Sequence, residues 1–138
     1  MIKISLILPE HVDSVWGEIK GYMEKAAEHS YGRYTSDDIK DVVLGGASHL
    51  WIAYDDTCIY GAVVTQIVRY PRINALAFHF IGGIEGLKWK TPMLVVLQKF
   101  ARDHNCGVIE SIGRVGWLKI FGPEGATHKN IFFEIPVE

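Results

Sequence analysis

A chain of 138 residues, 49% hydrophobic and 12% aromatic, carries enough apolar material for one core, and a single domain over 1–138 is expected. Its formal net charge of −2 provides no global attraction for nucleic acid, so that partner is not expected and any anion site must be local. Cys58 and Cys106 are too few for a disulfide framework, and no apolar run has membrane-spanning length, so the expectation is a cytoplasmic protein without membrane contact.

The alternation of Ile2, Ile4, Leu6 and Leu8 predicts a first strand closed by Pro9. Val12, Val15, Trp16, Ile19, Tyr22, Met23 and Ala26 then recur at the helical period, predicting a helix from Pro9 to His29. Gly17 and Gly21 interrupt it as points of close packing or a bend. After the loop Tyr31–Tyr34, Thr35 or Ser36 caps a second helix that runs to Leu44, with Asp37 and Asp38 in its first turn.

Three strands follow as an antiparallel meander: His49–Tyr54, Ile59–Tyr70 and Ile73–Ile81. Gly82, Gly83 and Gly86 then read as a loop. Thr91 at the N-cap and Pro92 at the first helical position open a helix whose Met93, Val96, Leu97 and Phe100 face a sheet. Lys88, Trp89, Lys90, Lys99 and Arg102 read as a solvated basic face. Val108–Ile112 completes a βαβ crossover and must lie parallel to the strand before the glycines. A helical turn at Trp117–Phe121 stops at Gly122-Pro123, and a last strand is expected over Thr127–Val137 around Ile131, Phe132, Phe133 and Ile135.

This element order, with Gly82–Gly86 between strand and helix, resembles the GNAT family of N-acyltransferases over nearly the whole chain. The segment Gly113-Arg114-Val115-Gly116-Trp117-Leu118-Lys119-Ile120-Phe121-Gly122 resembles that family's late short helix. The likeness is greatest to the small GNAT-like proteins of tailed phages, some of which are virion or assembly components. It implies an α/β (α+β) fold: a mixed, mostly antiparallel twisted sheet flanked by helices, with a central βαβ crossover. It also implies acetyl-CoA as acyl donor, held by Phe80 and Ile81 through their backbone and by Gly82, Gly83, Gly86, Lys88, Lys90 and Thr91 at the pyrophosphate.

Two departures stand beside the likeness: Gly82–Lys88 lacks the family's leading Arg or Gln and carries Glu85, and Leu118 occupies the position of a thiolate-protonating tyrosine. The resemblance thus implies either acetyl transfer to a small-molecule or protein amine, or a GNAT-like protein without catalysis that binds partners or serves a virion. Amine attack on a thioester needs a base within hydrogen-bond reach. His79 and Glu110 are the candidates, each also readable blandly, as a hydrogen-bonded sheet histidine and as a solvent-facing strand residue. Tyr22, Tyr31 and Tyr34 lie where the family binds its acceptor. His11, His29, His49, His79, His104 and His128 are scattered without metal-ligand spacing, so no metal is expected, and a homo-oligomer is left open.

Overall fold

The computed structural model describes residues 1–112 and 115–137. Strand β1 (Lys3–Ile7) passes through a 3-10 turn at Pro9–His11 into α1 (Val12–Glu28), followed by α2 (Ser36–Leu44). The meander is β2 (His49–Tyr54), β3 (Ile59–Arg69) and β4 (Asn74–Gly83); then come α3 (Gly86–Asp103), β5 (Val108–Ser111) and α4 (Val115–Phe121). The strands form one sheet in sequential order, antiparallel from β1 to β4, with β5 parallel to β4 across the α3 crossover. The mixed, mostly antiparallel sheet expected from the sequence is the one observed. Among the described residues no helix is long and apolar enough to cross a membrane.

Both faces of the sheet are covered, which is why the central strands read as nearly unbroken apolar runs. Leu50, Ile52, Ala62, Val64 and Phe80 pack against Trp16, Ile19 and Met23 of α1 and Ile39 and Val43 of α2. Trp51, Ala53, Val63, Leu76, Phe78 and Ile81 face Trp89, Met93 and Leu97 of α3 and Phe121 of α4. Thr35 caps α2 as its sequence requires: its side chain accepts from the Asp38 N–H while the Asp38 carboxylate accepts from the Thr35 N–H. Gly17 and Gly21 mark no close approach, since a Cβ at either would meet nothing within 4 Å.

Several sequence expectations are corrected. Gly82 and Gly83 belong to β4, and α3 starts at Gly86 behind Glu85, whose φ of 52° is left-handed, so Thr91 is no N-cap and Pro92 lies inside the helix. Packing overrides the Thr-Pro start signal here. Trp89, read as part of a solvated face, is fully buried, donates from its indole N–H to the Ile84 carbonyl at 2.9 Å, and draws the helix start back onto the sheet. Its ring needs the glycines beneath it. A Cβ on Gly61 would stand 2.4 Å from that ring, and one on Gly83, at φ +153°, would stand 2.4 Å from the Tyr60 carbonyl oxygen.

The expected last strand is absent: 126–137 has no regular structure and is exposed throughout. Strand propensity is realised only with a ladder partner, and this segment has none among the described residues. The late helix matches its expected place and starts two residues earlier, at Val115, whereas the expected lead-in at Gly113 and Arg114 lies outside the described residues.

Candidate active site

The centre of the site is the place where two strands part. β4 pairs with β3 along its length, but its parallel ladder with β5 covers only Ala75–Phe78 against Val108–Ser111. The parting coincides with a register shift: Val64 pairs with Phe80 and Thr65 with Phe78, leaving His79 as the extra residue of a β-bulge. The bulge flips the pleat, so Phe78 and Ile81 face α3 while Phe80 faces α1 and α2. Beyond Phe78, no strand among the described residues pairs with the β4 side turned toward β5.

His79 is half-buried at this point, stacked on Phe80 (4.2 Å between centroids) and met edge-on by Tyr34 (5.2 Å). Its Nδ1 is buried without a hydrogen-bond partner, which the bland reading of a satisfied sheet histidine did not anticipate. Burial lowers its pKa, so the ring is held neutral. Tyr34 is positioned by its own loop: Ser30 Oγ accepts from the Tyr34 N–H at 3.0 Å and donates to the Ala27 carbonyl at 2.6 Å.

The other acceptor-side residues are less united than the sequence suggests. Tyr31 stacks on Phe132 of the C-terminal segment at 5.6 Å. Tyr22 instead donates its hydroxyl to the Ile59 carbonyl at 2.7 Å, and its own backbone carbonyl would lie 2.5 Å from a Cβ on Gly82, so it fastens α1 to the sheet. Glu110 sits beside Ala77 in the β4–β5 ladder, two residues before His79, and accepts a hydrogen bond from the Tyr70 hydroxyl at 2.6 Å.

Past the end of β4, Glu85, Gly86, Leu87 and Lys88 form a hollow of 610 Å³ with Lys119 and Ile120. The first N–H groups of an 18-residue helix open here. Lys88 is bound within the fold, donating to the Tyr60 hydroxyl at 3.0 Å while that hydroxyl donates to Asp55 Oδ2 at 2.8 Å. The hydrogen bond to Tyr60 is the main reason its pKa is raised. Lys90 and Thr91 are also turned elsewhere, because a helix starting at Gly86 carries them onto α4 and the turn after it. Lys90 Nζ donates to the Ile120 carbonyl at 3.2 Å, and Thr91 Oγ1 donates to Glu124 Oε1 at 2.6 Å. The cation that lines the hollow and was not singled out from the sequence is Lys119. Its signal was the lysine in the late segment.

Two histidines make stability depend on pH. His49 Nδ1 is, like that of His79, buried and unpartnered, and burial is the leading cause of its lowered pKa. Each folded-state pKa lies below 6.5, the ordinary value. Between the two values the unfolded chain binds protons that the folded chain refuses, so stability is full above pH 6.5 and falls as pH drops through it. Thermal unfolding is expected at a lower temperature at pH 5 than at pH 7, and His49→Gln/His79→Gln should flatten that slope. An equal slope in the double variant would assign it to other groups.

No protein-family model and no curated protein sequence matches the chain. Solved structures do. An aminoglycoside acetyltransferase from an uncultured soil metagenomic sample superposes with TM-score 0.73 at 10% identity, covering 100% of this chain and 99% of the other. The ribosomal-protein-alanine N-acetyltransferase of Brucella melitensis biovar Abortus 2308 gives 0.73 at 14% identity, over 99% and 100%. A predicted acetyltransferase of Clostridium acetobutylicum, crystallised with acetyl-CoA, gives 0.68 at 12% identity, over 99% and 96%. Identities this low establish the GNAT fold and leave the activity to the site.

Proposed function

We propose that this GNAT-fold protein is an acyl-CoA-dependent N-acyltransferase that passes an acetyl group directly from acetyl-CoA to the amine of a small molecule or protein. The observation that carries the reading is the parting of β4 from β5 at the bulged His79, with the hollow at the start of α3 just past the strand end. An extended pantetheine arm fits along the open side of Phe80 and Ile81. Its pyrophosphate would then meet the N–H groups of Gly86 and Leu87, with Lys119 as the nearby cation.

Acetyl-CoA supplies the thioester: the amine nitrogen bonds to the carbonyl carbon, the C–S bond breaks, and the thiolate leaves to be protonated. The neutral ring of His79 takes the proton lost by the amine. A backbone N–H of the open β4 edge stabilises the charge that develops on the carbonyl oxygen. The Glu110 carboxylate favours approach of a cationic amine, and Tyr31 and Tyr34 line the acceptor side.

A second reading has its own observations. Lys88 and Lys90 are engaged within the fold, Glu85 stands at the helix start, and Leu118 replaces a tyrosine, all of which suit a GNAT-fold protein that has lost catalysis and works as a protein-binding or virion-assembly component. Calorimetric titration with acetyl-CoA and CoA separates the two. Saturable one-site binding, weakened in Leu87→Glu and accompanied by turnover on a panel of amines, supports the transferase. Leu87 is 73% exposed, so that carboxylate enters the hollow without disturbing the core. No binding at millimolar ligand and no turnover would leave the second reading standing.

A further inference from the structure

A chain of polar contacts links the turn between β2 and β3 to the hollow at the start of α3. In that turn the Asp55 carboxylate is fixed by backbone donors: its Oδ1 accepts from the N–H groups of Thr57 at 2.8 Å and Cys58 at 3.2 Å. Its other oxygen, Oδ2, accepts from the hydroxyl of the buried Tyr60 at 2.8 Å. A phenol that gives its one proton to a carboxylate presents only lone pairs to a second neighbour. That neighbour is Lys88, whose Nζ donates to the Tyr60 oxygen at 3.0 Å and stands 4.2 Å from the centre of its ring.

Lys88 is exposed in the first turn of α3, and its flexible stem would otherwise let the ammonium wander through solvent. Ordering such a side chain only when a ligand arrives costs affinity, and a partner that orders it beforehand removes that cost. Tyr60 occupies one of the three N–H groups of the ammonium, which leaves two for an anion in the hollow that Lys88 lines. Asp55 reaches the lysine through the phenol, so the ammonium is placed by a neutral group while the carboxylate stays matched to Tyr60 and the turn.

We propose that Tyr60, oriented by Asp55, is a positioning residue that holds Lys88 ready for the pyrophosphate of CoA. The inference rests on the acetyl-CoA reading above and adds a second cation to Lys119 at the hollow. Calorimetric titration of the full chain with CoA tests it in Tyr60→Phe, Lys88→Met and the double variant. Tyr60→Phe keeps the buried ring and should raise the dissociation constant about three- to tenfold, the effect of leaving one long side chain for the ligand to order. Lys88→Met should raise it about tenfold or more by removing a charge-assisted hydrogen bond. Because Tyr60 acts through Lys88, the double variant should bind no more weakly than Lys88→Met alone, a coupling that general damage to the fold would not produce. Additive losses in the double variant overturn the inference and leave the acetyl-CoA reading intact. So does a Tyr60→Phe variant that binds CoA as tightly as the native chain, or more tightly, the sign expected if Tyr60 withheld Lys88 from the ligand. A native chain that binds no CoA overturns both.

Discussion

Replacing Trp89 with alanine is expected to lower the free energy of unfolding by about 3–5 kcal/mol, the range for truncating a large buried aromatic side chain. Three losses combine at this position. The fully buried ring disappears from the core between α3 and the sheet, the Ile84 carbonyl loses the indole N–H at 2.9 Å, and Trp117 loses the ring it meets at 5.7 Å. The glycines below cannot fill the space. Urea unfolding of Trp89→Ala beside Leu87→Ala gives the comparison, because Leu87 is two residues away yet 73% exposed and its truncation should cost little. The two sites in contact also predict coupling: Gly61→Ala, which drives a Cβ into the ring of the native protein, should be better tolerated once Trp89 is alanine. A loss below about 1 kcal/mol for Trp89→Ala would mean that the start of α3 is not anchored as described.

His79→Gln is expected to reduce kcat/KM for acyl transfer by about 10²–10⁴-fold, the usual contribution of a positioned general base. Glutamine keeps a polar side chain of similar reach but does not titrate, so the pH profile discriminates a base from a merely structural residue. Burial lowers the pKa of His79 from 6.5, and the neutral, proton-accepting ring therefore persists below that pH. If the proposed transfer holds, an acid limb belonging to this ring should accordingly lie below pH 6.5 in the native protein and vanish in the variant. The bulge gives the geometric reason for choosing this residue over Glu110. His79 lies where β4 leaves β5, with Tyr34 and Phe80 fixing its ring, whereas Glu110 remains inside the ladder and is occupied by the Tyr70 hydroxyl. A variant within about tenfold of the native rate, with its acid limb intact, would remove His79 from the mechanism.

The sequence by itself determined the order of elements from β1 to α4 and the pairing sense of the strands, because these follow from local rules. The helical period of Val12–Ala26, the Thr35 cap, and the crossover that must return Val108–Ser111 parallel to β4 involve neighbours in the chain or a fixed handedness. Only the tertiary structure decided where α3 begins. Thr91-Pro92 is a sound local start signal, but α3 begins at Gly86, with Trp89 buried over Gly61 and Gly83 and Pro92 in the helix interior. The same distinction explains the site. The bulge at His79 is a mismatch between two strands, so neither strand's sequence displays it, and Lys88 and Lys90 were legible as cations but not as cations already matched to Tyr60 and Ile120. The C-terminal segment is the converse case: its alternation announces a strand, and the isolated fold leaves it unpaired because a ladder is a property of two segments, never of one.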